Sequence, residues 1–344
     1  MAKNKKLKAI QFVGTQRSGS NLLRLMLNQL PEISAPHPPH ILKTFFPLLS
    51  QYGDLNNADN FRVLTQDVCE WVNMNPVPWE GITLHADEVM GDCTQNTLIE
   101  LFVKIYERKA IHDNADFWCC KSMESIHYVD EIEASGIAPY YIYIYRDGRD
   151  VALSFMKAIV GPKHIYYLAK KWAEEQRLSL QAQERVGAER FIRVRYEDLI
   201  HVPRLVIKSI CDVLGVSFSD EVFEYFHSEE SINTANSGQM WKNVVRPIMP
   251  DNHDKFKREF TGEQLRIFEQ VAGDVLQELG YKPMFWPDAP VAKFYEKDLE
   301  KFKKENEIQY HKVLEKAEPE ELKRRQPQEE LLTKIKNRKK MSYK

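Results

Sequence analysis

Residues 12–21 read FVGTQRSGSN, and they join a run of apolar residues to the helix-like stretch NLLRLMLNQL. Lys8–Gly14 (KAIQFVG) is typical of a short buried strand, and Ser20–Leu30 has its apolar side chains at helical spacing. A strand that turns through two glycines into a helix places free backbone N–H groups and the positive end of the helix dipole around one point. This stretch therefore predicts an anion site at the start of an α/β fold.

The loop resembles a phosphate loop but lacks its lysine. Gly14 and Gly19 keep the spacing of G-x-x-x-x-G-K-[ST], but Ser20 and Asn21 follow where that motif has lysine and a hydroxyl residue. The lysine contacts the β- and γ-phosphates of a triphosphate, and the hydroxyl binds Mg²⁺. Arg17 lies in the middle of the loop instead. The loop therefore favours a less charged phosphate or sulfate group that binds without a metal.

Further strands and helices alternate along the chain. The predicted strands are Phe117–Lys121, Pro139–Arg146 and Phe191–Tyr196, the last followed by a helix to about Leu214. The other long predicted helices are Asn57–Asn73, Thr94–Arg108, Lys163–Val186 and Glu263–Leu279. This order predicts an α/β fold, a P-loop-NTPase-like three-layer sandwich with a central, mostly parallel sheet that helices cover on both faces.

The C-terminal part of the chain differs in composition. Residues 292–344 carry 16 Lys/Arg against 11 Asp/Glu, a net charge of +5, with few apolar side chains. We therefore expect one domain over residues 1–290 and a charged helical tail over residues 291–344, with an exposed helix over Lys293–Lys316 and a frayed or disordered chain beyond Pro319. A solvated helix is the simpler interpretation of the tail, and an arm for a polyanion or for a homo-oligomer is the alternative.

Charge and cysteine content exclude several classes. The 48 basic and 50 acidic residues balance, so the charge gives no case for nucleic acid as a partner. Five cysteines without a C-x-x-C pair argue against a disulfide framework or a zinc site. No stretch approaches the ~18 apolar residues of a membrane helix, and no secretory apolar region precedes the first strand. We expect a cytoplasmic protein with no integral membrane segment.

A second turn, YRDGRDVALSF (145–155), repeats the pattern of the first loop. Arg146 ends a predicted strand, and Ser154 lies eight residues later, about two turns into the following helix. This pair could hold a second anion from two sides, although an ordinary surface turn is the alternative. The third strand leads into VRYEDL, where Tyr196 could contact a base or support a loop. Two anion loops at strand ends indicate a nucleotide with two separate phosphate groups.

The segments GTQRSGSNLLRLML, IYRDGRDVALSF and RYEDL, in this order, resemble the sulfotransferases that use 3′-phosphoadenosine 5′-phosphosulfate (PAPS). The chain is most similar to the bacterial and tyrosylprotein-type branch, whose first loop reads P-R-S-G-T, and the resemblance spans about Lys8 to Tyr281. It implies transfer of a sulfuryl group from PAPS to a hydroxyl, with adenosine 3′,5′-bisphosphate as product and no required metal. The acceptor stays open among a small molecule, a sugar, a lipid and a peptidyl tyrosine.

The resemblance also implies roles for individual residues. Arg17 would hold the 5′-phosphosulfate and stabilise the leaving phosphate. The other donor-binding positions are Ser18, Gly19, Ser20 and Asn21 for the 5′-phosphate, Arg146 and Ser154 for the 3′-phosphate, Tyr196 near the adenine, and Trp241 and Lys242 in a segment that closes over the nucleotide.

The base is expected in ISAPHPPHILKTFF (33–46), just after the first helix. Histidine titrates near working pH, so both His37 and His40 are candidates. The resemblance favours His40, because Pro38 holds the position of the family's glutamate. Lys121 matches a family lysine that could stabilise transition-state charge, or it packs near the nucleotide without a catalytic role. Glu124 and His127 are candidates for the acceptor cleft.

Two other functions stay open. An atypical P-loop kinase would use ATP and Mg²⁺, against which the missing lysine argues. A non-catalytic nucleotide-binding protein would keep the loops without the chemistry, against which the presence of both Arg17 and His40 argues.

Overall fold

A computed structural model describes residues 7–285 and 294–338 and shows five strands in one sheet. The strands are β1 (Lys8–Val13), β2 (Ile33–Ser34), β3 (Phe117–Cys120), β4 (Tyr140–Tyr145) and β5 (Phe191–Arg195). They lie in the order β2-β3-β1-β4-β5, and every pairing is parallel. The predicted α/β fold with a central parallel sheet is confirmed, and the short strand β2 is an addition to it.

Two apolar cores cover the two faces of the sheet. Neighbouring residues of a strand point to opposite faces, so β1 sends Ile10 and Phe12 into one core and Ala9 and Val13 into the other. The four apolar side chains of β4 that follow Tyr140 are likewise fully buried. A strand that is covered on both faces has a nearly continuous apolar sequence, because both sets of its side chains are buried.

The helices lie between the strands and after them. In chain order they are α1 (Ser20–Leu27), α2 (Ile41–Phe45), α3 (Ala58–Asn73), α4 (Ala86–Asp92), α5 (Leu98–His112), α6 (Val129–Ala134), α7 (Gly148–Lys157), α8 (Ile165–Val186), α9 (Tyr196–His201), α10 (Pro203–Leu214), α11 (Glu229–Asn236), α12 (Phe256–Glu259), α13 (Gly262–Glu278), α14 (Glu296–Leu314) and α15 (Pro319–Asn337). Short 3₁₀ segments cover Phe46–Gln51, Met123–Tyr128, Asp220–His227 and Gln239–Val245. The predicted helix that follows β5 is interrupted at Val202, because Pro203 starts a new helix.

The tail packs against the rest of the protein. The expectation of a frayed or disordered chain beyond Pro319 is wrong, because α15 runs to Asn337 and buries Leu331 and Ile335. Arg338 then donates to both carboxylate oxygens of Asp67, at 2.7 and 3.0 Å.

The helix expected over residues 293–316 is found as α14, and its Phe302 ring stacks on His164 at 4.5 Å between centroids. The start of that predicted helix and the boundary expected at residues 290–291 lie outside the described residues. Within residues 7–285 and 294–338, no helix is long and apolar enough to cross a lipid bilayer.

Candidate active site

The carboxyl ends of three neighbouring strands meet at one edge of the sheet. β1 leads into the glycine loop, β3 into Lys121 and β4 into Arg146. The connection after β1 runs toward β2 on one side of the sheet, and the connection after β4 runs toward β5 on the other; open parallel sheets bind ligands at such a point. A cleft of about 730 Å³ opens here and continues past α2 to α15.

Glycine is required at two positions of the first loop. Gly14 has a φ of +115°, and a Cβ there would lie 2.7 Å from the carbonyl oxygen of Ile144. Gly19 has a φ of +90°, and a Cβ there would collide with the ring of Tyr196. The loop can therefore pack closely on β4 and on Tyr196. The N–H of Leu23 bonds the Gly19 carbonyl at 3.2 Å, so the amides before it at the start of α1 are free for a ligand.

Arg17 is held from two sides of the cleft. Its backbone is left-handed, with a φ of +72°. Nε donates to Oγ of Ser154 at 3.0 Å, and Nη2 donates to the carbonyl oxygen of Met240 at 3.0 Å. Burial, together with the Arg146 charge, lowers the pKa of Arg17 to about 10. Arg17 is thus a half-buried, fixed cation, and it still carries its charge at neutral pH.

Arg146 lies over the Tyr196 ring, with its guanidinium carbon 4.3 Å from the ring centroid. Its Nη2 donates to the carbonyl oxygen of Asn252 at 2.6 Å, and Asp150 lies 3.5 Å away. Nε of Arg146 is buried without a hydrogen-bond partner among the described residues, as is Oγ of Ser18 in the loop. Both atoms remain available to a bound anion.

Lys121 contributes a third buried positive group, with 8% of its surface exposed. Burial, together with the charges of Arg24 and Arg17, lowers the pKa of Lys121 to about 7. A lysine in such surroundings gains from a nearby anion, because the anion offsets the neighbouring arginines.

His40 has a fixed orientation at the start of α2. Its φ is +58°, and its Nδ1 lies 2.7 Å from Oγ of Ser122 and 4.0 Å from Oε2 of Glu124. Burial lowers the pKa of His40 to about 3; the Glu124 carboxylate opposes this shift, and the Lys121 charge adds to it. The side chain keeps 30% of its surface exposed to the cleft. His40 is therefore neutral at pH 7 and able to accept a proton.

His37 lies deeper, with 4% of its surface exposed. Its ring meets Trp241 edge-on at 4.9 Å, and both of its ring nitrogens are buried without partners among the described residues. Burial, followed by the Lys121 charge, lowers the pKa of His37 well below its ordinary value. Its backbone carbonyl accepts from the Trp79 indole at 2.7 Å. His37 is thus packed, whereas His40 is hydrogen-bonded and partly open.

Glu124 connects the loop to α2 rather than standing free. It accepts from Nε2 of Gln16 at 2.7 Å and pairs with Lys43. Its pKa lies below the ordinary value: burial would raise it, but the charges of Lys43 and Lys171 outweigh burial. His127, the other acceptor candidate, lies 3.8 Å from Glu175 instead.

Most of the predicted site residues meet in this cleft. The predicted residues that line it are Arg17, Gly19, Ser20, Asn21, His37, His40, Lys121, Arg146, Ser154, Tyr196 and Trp241. Ser18 lies just beneath, fully buried. Lys242 does not line the cleft, since its ammonium lies 2.8 Å from Oε1 of Glu318; its predicted binding role stays a prediction. The binding roles of the other residues stay predictions.

Several residues that help to form the cleft belong to no sequence motif. Ser122 and Met240 act through a hydroxyl and a backbone carbonyl, which no residue pattern singles out. Arg325 and Gln328 come from α15: Arg325 lies 5.6 Å from the Trp241 ring, and Gln328 donates to the carbonyl of Trp71 at 2.8 Å. The alternation of charges in the tail gave no sign that one of its faces would meet the cleft.

Sequence comparison finds a family and several relatives. The model of a family described as "Sulfotransferase family" matches residues 10–220, more than half of the chain. Protein-tyrosine sulfotransferase A of Caenorhabditis elegans is 24% identical over 279 residues, which cover 78% of this chain and 66% of the worm protein. Protein-tyrosine sulfotransferase of Drosophila melanogaster is 25% identical over 291 residues, covering 81% of this chain and 53% of the fly protein. The chain thus spans less than two thirds of these relatives.

Structural comparison agrees on the fold. The sulfotransferase domain from the curacin biosynthetic pathway matches with a TM-score of 0.54 at 19% identity, covering 81% of this chain and 99% of that domain. The sulfotransferase domain from the Synechococcus PCC 7002 olefin synthase matches with a TM-score of 0.51 at 21% identity, covering 78% of this chain and 94% of that domain. At such identities the likeness concerns the fold alone.

Proposed function

Because this chain belongs to the sulfotransferase family, we propose that its cleft transfers a sulfuryl group from PAPS to an acceptor hydroxyl. The observation that carries the proposal is the group of buried and half-buried cations beside the α1 N-terminus. Arg17 bonds a hydroxyl and a carbonyl, and Lys121 has arginines as its strongest charged neighbours, so neither is neutralised by a carboxylate among the described residues. Buried cations of this kind favour an anionic ligand.

The residues present fit a nucleotide with phosphates at two places. Gly19 leaves the loop amides open, and Oγ of Ser18 and Nε of Arg146 lack partners in the described part of the chain. Arg17, the loop and Lys121 would hold the 5′ group, and Arg146 the 3′-phosphate. When bound, PAPS supplies the sulfuryl group attached to a phosphate leaving group.

Residues of the cleft would stabilise the negative charge of the leaving group and accept the proton of the acceptor hydroxyl. Arg17, Lys121 and the loop amides offer positive charge where the leaving oxygen becomes negative, which is where preorganised donors accelerate a reaction most. His40 would accept the acceptor hydroxyl proton on Nε2, since its Nδ1 is engaged by Ser122. The bound donor would offset the Lys121 charge and so raise the pKa of His40 toward working pH.

We propose a tyrosine-like phenolic hydroxyl as the acceptor. The relatives named above are protein-tyrosine sulfotransferases, and an aromatic side chain, Trp71, lines the cleft on the side of His40. The Trp71 indole is fixed by its hydrogen bond to the Pro39 carbonyl at 2.6 Å, which makes it a firm wall for a planar ring.

Binding of adenosine 3′,5′-bisphosphate tests the donor half of the proposal. A ligand present at 100 times its Kd raises the unfolding free energy by about 2.7 kcal/mol, so a clear thermal shift is expected. ATP with Mg²⁺ should give a smaller shift; the reverse order would favour the kinase alternative. Absence of any shift with the bisphosphate would overturn the proposal.

Transfer itself separates an enzyme from a nucleotide-binding protein. Labelled PAPS and a tyrosine peptide, with p-nitrophenol as a small phenol, should yield labelled ester with the wild-type protein and much less with the His40→Ala variant. Bisphosphate binding without transfer to either phenol would contradict the proposed acceptor class, and retention of full rate by His40→Ala would refute the assigned base.

A further inference from the structure

The 3₁₀ segment Gln239–Val245 lies between the tail and Arg17. At one end of this segment, the Met240 carbonyl accepts from Nη2 of Arg17 at 3.0 Å. Its first backbone N–H, that of Gln239, donates to Oε2 of Glu321 at 3.1 Å. Glu321 lies in the first turn of α15. A buried carboxylate of the tail therefore bonds the backbone of the segment that holds Arg17, while Glu318 accepts only from side chains of that segment, those of Gln239 and Lys242.

Glu321 replaces a missing cap. Gly238 precedes the segment and has no side chain to accept the first N–H groups, and the segment has no side-chain cap of its own. Glu321 is only 3% exposed, and a Cβ on Gly238 would collide with its carboxylate. A buried carboxylate that accepts a backbone N–H at a helix start makes a charge-assisted bond.

The same contact extends to the histidine side of the cleft. Trp241 follows Met240 and meets His37 edge-on, while Arg325, one turn after Glu321, lies 5.6 Å from the centroid of the Trp241 ring. Arg325 also lies 3.5 Å from Oε1 of Glu321. The first two turns of α15 thus contact two residues of the segment, Gln239 and Trp241.

We infer that Glu321 is a positioning residue for Arg17, and that α15 thereby sets the geometry of the donor clamp. Glu321 does not line the cleft, and it lies outside residues 10–220, the part matched to the family. Its effect on the donor therefore passes through its neighbours, and the path to Arg17 runs through Gln239 and Met240. The inference rests on the proposed function, because it takes Arg17 to be a donor-binding residue.

Calorimetric titration of adenosine 3′,5′-bisphosphate into the full chain tests this inference. Glu321→Ala should weaken the affinity about 5- to 10-fold, because the Gln239 N–H loses its buried acceptor and the segment shifts. Glu321→Gln keeps an oxygen in place and should stay within about 2-fold of the wild type. An unchanged affinity in Glu321→Ala would overturn the inference.

A double-mutant cycle with Arg17 separates positioning from general loosening. If Glu321 acts through Arg17, Glu321→Ala should have no further effect on affinity in an Arg17→Ala background. Equal losses in both backgrounds would overturn the inference. The matched control is Arg338→Met, which releases the other end of α15 from Asp67 and should leave the affinity unchanged; a comparable loss there would also refute a specific role for Glu321.

The two proposals fail in different ways. If the wild-type protein does not bind the bisphosphate, the proposed function falls and takes the premise of the inference with it. If the wild type binds, Arg17→Ala weakens binding and Glu321→Ala does not, only the inference is overturned.

Discussion

The two ends of the cleft are built in different ways. The donor end (residues 14–21, Lys121 and Arg146) comes from the ends of three neighbouring strands, which the sheet necessarily brings together. The acceptor end (residues 37–44, Trp71 and α15) joins a loop, a helix and the tail, which only packing brings together. The difference indicates that donor chemistry is tied to the fold itself, whereas the acceptor wall can change without altering the sheet.

Removal of the proposed base at the acceptor end should have the largest effect. His40→Ala is expected to lower kcat about 10²- to 10⁴-fold, the range for a lost general base. Affinity for the bisphosphate, measured by calorimetry, should change less than about 2-fold, because His40 contributes no charge at neutral pH. The matched control is His37→Ala, which should affect kcat less; a larger loss in the control would assign the base to His37 instead.

Removal of Arg17 should lower the affinity for the bisphosphate, which removal of His40 should leave nearly unchanged. Arg17→Ala is expected to weaken bisphosphate binding about 10- to 100-fold, because one charged hydrogen-bonding group contributes about 1.5–3 kcal/mol. Lys157→Met is the control, since Lys157 lines the same cleft but is 62% exposed and pairs with Glu259. Equal losses of bisphosphate affinity in the two variants would mean that the overall positive potential of the cleft, and not Arg17 in particular, holds the donor.

Lys121 should make donor binding depend on pH. With a pKa of about 7 in the ligand-free protein, it is charged below pH 7 and neutral above it. An anion binds the charged form more tightly, so bisphosphate affinity should fall as the pH rises from 7 to 9, by about 3- to 10-fold. The phosphate groups, with a second pKa near 6, are almost fully ionised between pH 7 and 9. The change in affinity over this range therefore reports on the lysine and not on the ligand.

The comparison with Lys121→Met decides this prediction. Calorimetry at pH 7, 8 and 9 should give a nearly flat profile for the variant and a falling one for the wild type. Parallel slopes would show that another group, and not Lys121, titrates in the donor end.

The smallest effect is expected at the far end of α15. Arg338→Met removes two hydrogen bonds to Asp67, but Tyr52 still donates to that carboxylate at 2.8 Å. We expect a loss of about 1 kcal/mol in unfolding free energy and about 1–2 °C in Tm. Scanning calorimetry measures the shift in Tm. If hydrogen exchange showed that α15 loses its protection in this variant, the view that apolar contacts of Leu331 and Ile335 also hold α15 would be contradicted.

The donor end was largely predictable because its signals are local. The apolar run that ends at Arg146 predicts β4 to within one residue at each end. Glycine adopts a positive φ more readily than other residues, so Gly14 and Gly19 indicate from the sequence where the loop has such angles.

The acceptor end was less predictable because its contacts are distant along the chain. The two residues of β2 are too few to show a period. α15 has almost no amphipathic pattern and contains Pro327, and it is held by partners such as Asp67 and Gln239. The contact of His40 with Ser122 joins residues 82 positions apart, so the motif could name the histidine but not what orients it.

The left-handed backbones of Arg17 and His40 imply a conflict between durability and activity. Outside glycine, a φ near +60° costs about 1 kcal/mol, and both proposed catalytic residues have one. Glycine at either position would relieve that strain and delete the working side chain. A search for heat-resistant variants by stability alone would therefore be drawn to these two positions, and the most robust proteins it found would be the least active.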